Sequence, residues 1–343
     1  MSEIVIKKQR QVNIEILRII AMILVLVGHY NRPINGDVSY DLMHSDALKA
    51  IGIAELKSWT FVCVPCFVMI SGYFGIKWKR RGLMNYLFQI LYWSILVYLL
   101  CYCLGVIDFN ITKLGTRVFT SILGNWFFFC YLGVYMLAPL VNAFAEKSSE
   151  NEIRNMVLAF FGFQTVFGWI LKVNGEFAMG MTSISLLGYY LLGAYIKRTS
   201  ATIFKMGALA NLISFIAIGQ VCVLLNCATQ YLGFEKDVYS YISPLQIMQT
   251  IFLFLFCKTL IVSERWNKFI LFFSSSAFAG LLLHSWEGNT IYVNGLHWID
   301  ENLPLPAIAT FIYIILFFAI ACCLDKTRIW CWNNILKMVS ANK

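Results

Sequence analysis

Apolar residues run along this chain in stretches too long for a soluble fold. A run of about 18 or more such residues with few charges reads as a transmembrane helix. Ten segments qualify: 12–30, 59–76, 85–105, 118–144, 156–171, 178–196, 206–227, 243–262, 269–286 and 305–324. The fourth is long enough to tilt or to begin along the membrane surface, and the fifth and sixth are short. Connections are brief except for 31–58, where "HSDALKAIGIAELKSW" has a Ser-Asp start and apolar residues at helical spacing. That stretch is expected to be a short helix lying against the membrane. The pattern predicts an all-α polytopic membrane protein of about ten transmembrane helices, a single domain over residues 1–343.

Composition agrees and adds a direction. Of 343 residues, 59% are hydrophobic and 13% charged. With the N-terminus in the cytoplasm, nineteen Lys and Arg outside the spans fall on the cytoplasmic side and seven on the outer side. That is the positive-inside bias, and it predicts that both termini are cytoplasmic. The net charge of +9 is then topological, and no nucleic-acid partner is expected. The first segment is longer than a signal-peptide core and continues into "GHYNRPINGD", so it reads as a mature span.

Of the eleven cysteines, all but Cys331 fall in or at the edge of apolar spans, which argues for small buried hydrophobes rather than a disulfide framework. "CVPC" (Cys63 to Cys66) has redox spacing but lacks the βαβ surroundings of such a site, and its Pro65 reads as a helix bend. No metal site is expected.

The charges inside the spans are more informative. Leaving aside Cys and Tyr, they are Glu15, Arg18, His29, Lys258 and His284. Lys258 lies near the cytoplasmic end of its span and can snorkel. Residues 13–30 carry ten Ile, Leu and Val, worth roughly −3 to −6 kcal/mol of insertion energy. Two central charges would cost roughly +5 to +7 kcal/mol, less toward the end of the span where Glu15 and Arg18 lie. A helix that served only as an anchor would not carry them.

Glu15 and Arg18, three residues apart, can meet on one face. Arg18 and His29 are eleven apart, three turns and about 20°, with a rise of about 16 Å. All three therefore share a stripe, Arg18 near the cytoplasm and His29 toward the outer leaflet. The plain alternative is a structural Glu–Arg pair and a histidine hydrogen-bonded at the interface. "KWKRRG" (77–82) is the densest basic cluster, serving either as a surface anchor or as a contact for a phosphorylated ligand. The C-terminal "DKTRIWCWNNILKMVSANK" reads as an interfacial tail.

At these residues the chain resembles the acyltransferase-3 family of integral membrane acyltransferases. "ILRIIAMILVLVGH" matches the family's Arg, ten residues, His, with Glu15 at the acidic position before the arginine. "FVMISGYFG" (67–75), "NWFFFCYLGVYMLAPLVN" (125–142), "YYLLGAYIKR" (189–198) and "SSAFAGLLLHS" (275–285) resemble later family segments in the same order. One departure stands out: the family often has two arginines three apart after the second span, whereas here Arg80 and Arg81 are adjacent and position 84 is Met.

The resemblance implies acyl transfer, usually acetyl, from cytoplasmic acyl-CoA to an extracytoplasmic or lipid-linked carbohydrate hydroxyl. No permanently bound cofactor is expected; acetyl-CoA would be a co-substrate. His29 is the candidate base, since imidazole titrates near neutrality, though direct acylation of the ring remains open. Arg18 would bind the donor's phosphates or pantetheine arm, or stabilise the thioester oxyanion, with Glu15 orienting it. Lys77, Arg80 and Arg81 are further donor-binding candidates. Ser71, Tyr73, Asn125, Trp126, Tyr131 and His284 are candidates for the acceptor side. Membrane lipids, acyl-CoA and the glycan are the expected partners, with oligomers possible, and the bacterial cytoplasmic membrane is the expected location. A proton-coupled transporter or a polysaccharide-exporter component is the competing class.

Overall fold

A computed structural model of the protein describes residues 11–173, 177–234 and 238–341, all helix and connections with no strand among them. α1 (Val12–Asn35) is followed by the short α2 (Tyr40–Ser45), then α3 (Ala47–Thr60) and α4 (Cys63–Phe74) with two residues between them. α5 (Arg80–Cys103) leads into α6 (Ile111–Thr120), α7 (Trp126–Lys147) and α8 (Glu150–Phe163), which ends in a π-helical stretch, Gln164–Ile170. α9 (Ser183–Arg198), α10 (Ala208–Tyr231) and α11 (Pro244–Thr259) come next. α12 (Asn267–Ser274) and α13 (Ala279–Leu283) are halves of one interrupted span, and α14 (Gly288–Asn302) and α15 (Pro306–Ala341) close the chain.

Each of the ten expected segments falls on a helix. Among the described residues, eight helical stretches are long and apolar enough to cross a membrane, while α9 and α11 have only 16 residues each. α9 is buried on every side from Gly188 to Ile196, as befits a helix that is apolar all round. It meets α4 backbone to backbone. A Cβ on Gly72 would overlap the Tyr190 carbonyl, and one on Gly193 the Met69 carbonyl. Small residues permit this approach, the usual way of gaining contact where lipid leaves little hydrophobic drive.

Several boundaries move, each for a local reason. The stretch expected to lie against the membrane is instead packed: Ala50, Ile53, Ala54 and Ser58 of α3 are buried, and the helix rests on α1 and α10. Pro65 falls in the first turn of α4, where its missing N–H costs no helical hydrogen bond, so the interruption precedes it. The fourth span begins only at Trp126, because Asn125 caps α7 by accepting a 2.9 Å hydrogen bond from the Phe127 amide. The expected interfacial tail continues the last span, giving a 36-residue helix. It buries Asp325 and Arg328 as a 2.6 Å pair, with the Trp93 indole donating to Asp325. The break between α12 and α13 is met by Lys326, whose Nζ donates to the Phe272 carbonyl at 2.7 Å. A carbonyl freed inside a membrane span needs such a donor. All eleven cysteines are free thiols, Cys63 and Cys66 among them.

Candidate active site

α1 carries the site along one face. Arg18, Met22, Val25, His29 and Arg32 follow at steps of four, three, four and three, and the last four line a cavity of about 520 Å³. At the N-terminal end of the stripe Glu15 is buried and Arg18 pairs with it at 3.2 Å, its side chain 29% exposed. Arg18 is not part of the cavity wall. It lies within electrostatic reach of the Tyr131 hydroxyl, which is hydrogen-bonded to Ser71 Oγ at 2.8 Å.

The cavity lies around His29. The exposed surface of this ring faces the cavity, and its nitrogens have no hydrogen-bond partner among the described residues. His284, at the end of α13, stacks on it with ring centroids 4.4 Å apart and planes 30° from parallel. His284 is buried, and its Nδ1 lies 3.0 Å from the Leu281 carbonyl. A carbonyl only accepts, so Nδ1 carries the hydrogen and the neutral ring keeps its lone pair on Nε2. Tyr292 of α14 packs edge-on against His284 and donates to the Leu26 carbonyl of α1 at 2.7 Å, tying the two helices beside the histidines.

The rest of the wall is aromatic near the bundle interior and charged at the mouth. Trp126, Tyr241, Phe61 and Tyr239 present rings, Asn125 an amide, and Arg32, Asp37 and Lys57 the charges. Lys57 donates to Asp37 at 2.8 Å, and that hydrogen bond, with burial opposing it, holds the Asp37 carboxyl below the usual carboxylate range. Phe127 and Phe278 line the cavity and also pack on Tyr131 and Tyr86 respectively, so an aromatic layer separates the His29 chamber from the Arg18–Ser71–Tyr131 group.

The expected residues therefore divide. His29, His284, Asn125 and Trp126 are brought together, while Glu15, Arg18, Ser71 and Tyr131 form the second group. Tyr73 belongs to neither: it is buried against Phe254 with Lys258 5.9 Å from its ring. Lys77, on the connection between α4 and α5, and Arg80 and Arg81, in the first turn of α5, are exposed. That connection is firmly held. Tyr190 accepts from the Ile76 amide and donates to Asn142, whose amide returns to the Ile76 carbonyl, while Tyr135 donates to the Lys79 carbonyl. Arg32, Asp37, Lys57, Tyr239 and Tyr241 were not foreseen as site residues. Only Arg32, one turn beyond His29, carried a signal in the helical spacing.

The fold and this chamber define a helical membrane protein with a paired-imidazole site reached from one end of the bundle. A family model described as an acyltransferase domain matches residues 11–326, and the chain belongs to that family, the acyltransferase-3 family. No curated protein and no solved structure matches it.

Proposed function

We propose that the protein is a membrane O-acyltransferase that moves an acyl group, acetyl in the simplest case, from cytoplasmic acyl-CoA to a hydroxyl of an extracytoplasmic or lipid-linked carbohydrate. The observation that carries this reading is His29: an imidazole free of protein hydrogen bonds among the described residues, open to a cavity, with its face fixed by His284. In this scheme His29 takes the proton of the acceptor hydroxyl as its oxygen attacks the thioester carbonyl. The C–S bond breaks, and the leaving thiolate receives the proton from the imidazolium, so an ester and free CoA result. Acylation of His29 itself, followed by transfer to the hydroxyl, uses the same group twice.

Arg18 holds the donor. It stands about 16 Å along α1 from His29, far beyond the ~3 Å contact an oxyanion donor needs, which favours phosphate or pantetheine binding over oxyanion stabilisation. Glu15 orients the guanidinium. Asn125 caps α7 through Oδ1, which leaves its amide N–H groups as a cavity-side donor for the thioester oxyanion. Trp126, Tyr239 and Tyr241 supply faces for the C–H surfaces of a sugar ring, and the Asp37–Lys57 pair meets its hydroxyls.

Purified protein supplied with radiolabelled acetyl-CoA tests the reading. Release of CoA, by hydrolysis or by transfer to an added glycan, with His29 required, is the expected result. Movement of solute across vesicles with acetyl-CoA left intact would replace this reading with the transporter one.

A further inference from the structure

The end of α13 is built in a way that plain chain reversal does not need. Four residues, His284 to Glu287, separate α13 from α14. Trp286 among them has φ +53°, a left-handed conformation that a bulky residue rarely adopts. Gly288 follows where a Cβ would overlap the Leu283 carbonyl oxygen. Ser285 Oγ and His284 Nδ1 both donate to the same carbonyl, that of Leu281.

This turn is held from outside by a buried charge cluster. Glu287 receives Lys113 at 3.0 Å and also Arg117, both from α6. The Arg117 and Glu287 side chains are only about a tenth exposed, and the guanidinium lies 5.9 Å from the Trp286 ring centroid. Burial by itself would raise the Glu287 carboxyl; the Lys113 hydrogen bond and the Arg117 charge outweigh it and hold the group below the usual carboxylate range. On its other side α6 exposes Ile111, Val118 and Phe119, an apolar edge suited to the membrane interface.

The cluster is a poor device for stability alone. Arg117 Nη1, Glu287 Oε2 and Trp286 Nε1 are buried without partners among the described residues. Unsatisfied buried groups are costly, and apolar packing often replaces a buried ion pair without loss of stability. What the cluster does hold is the backbone that carries His284.

We propose that Glu287 is a positioning residue: gripped by Arg117 and Lys113 of α6, it fixes the His284–Glu287 turn and thereby the stack of His284 on His29. The catalytic consequence rests on the acyl-transfer reading; the geometric one does not.

The experiment reads both. The chain has four histidines, so labelled histidine in a protein carrying His44→Gln and His297→Gln reports on the stacked pair alone. Solid-state NMR of this protein in bilayers should give a cross peak between the two imidazoles, and Glu287→Gln should abolish it. In parallel, Glu287→Gln should lower kcat for acetyl-CoA turnover about two- to tenfold, the scale of losing the His284 stack itself, with KM for acetyl-CoA within twofold. The reversed pair Glu287→Arg with Arg117→Glu should recover part of the cross peak and of kcat. If Glu287→Gln does not insert stably, Lys113→Met, which leaves Arg117 on the carboxylate, should weaken both signals in the same direction. A cross peak retained in these variants, or kcat within twofold of the parent, would overturn the proposal. If the parent protein turns over no acetyl-CoA, the acyl-transfer reading fails on that result, and the cross peak still decides whether Glu287 positions His284.

Discussion

The two ends of α1 meet the same physical problem, an ionisable group in an apolar helix, and solve it differently. At the N-terminal end Arg18 is neutralised by Glu15 of the same helix, one turn away. At the other end His29 gains its companion from α13, far along the chain, and the two rings meet face to face rather than through a hydrogen bond. The first solution leaves a charge balanced but partly open, suited to gripping a polar ligand. The second leaves the ring nitrogens uncommitted, suited to moving a proton. An aromatic layer of Phe127 and Phe278, packed on Tyr131 and Tyr86, separates them. On the proposed acyl-transfer reading the contrast is a division of labour, donor held at one end and hydroxyl activated at the other.

The sharpest way to break that division is at His29. His29→Ala and His29→Gln should each lower acyl transfer by a factor of about 10² or more, the scale of a lost general base, while binding of acetyl-CoA measured by calorimetry stays close to that of the parent. Near-normal turnover in well-folded His29→Gln would make the ring structural. Arg18→Gln should act on the other side of the comparison. Loss of a charge-assisted contact worth roughly 1.5–3 kcal/mol should raise KM for acetyl-CoA tenfold or more, with the glycan KM little changed. Steady-state kinetics with each substrate varied in turn separates the two outcomes.

His284 tests whether stacking or hydrogen bonding matters at the C-terminal end of α1. An aromatic pair contributes roughly 0.5–1.5 kcal/mol beyond its buried area, so His284→Ala should cost about two- to tenfold in kcat. His284→Phe, which keeps a ring face, should cost less than His284→Ala. Equal losses in the two would point to Nε2 rather than the stack.

The smallest effect is expected at the mouth. Because Lys57 holds the Asp37 carboxyl below its usual range, the ion pair persists down the pH scale until that lowered value is reached. Activity between about pH 5 and 8, where imidazole is the ordinary titrating side chain, should therefore have the same profile shape in the parent and in Asp37→Asn. The two curves should part only below the ordinary carboxylate range. Divergence near neutrality would show that Asp37, not an imidazole, sets the profile.

Much of the architecture was legible because lipid imposes length: apolar runs of about 18 residues have little choice but to be helices. Breaks within those runs were less legible. The interruption after Ser274 depends on Lys326, some fifty residues away, supplying donors to the freed carbonyl and hydroxyls. α3 reads as an interfacial helix from its Ser-Asp start and apolar residues at helical spacing, yet its small residues Ala50 and Ala54 bury it between two neighbours. In the site, the Arg18-to-His29 stripe was readable from helical spacing alone. The stack with His284 was not, since nothing local to either histidine specifies the other. Glu287, three residues beyond His284, carries no local signal in the sequence, and only its burial against Arg117 sets it apart.

Sidedness tests the division of labour most directly, and it needs no turnover. In a background with Cys63, Cys103, Cys130, Cys227, Cys323 and Cys331 changed to serine, leaving only fully buried thiols away from the cavity, His29→Cys and Arg18→Cys are each labelled with a membrane-impermeant maleimide in vesicles of known orientation. Position 29 should label from the face that carries Asp37 and be protected from the face that carries Arg80, and position 18 should do the reverse. Labelling of both positions from the same face, or of position 29 only from the Arg80 face, would contradict the account.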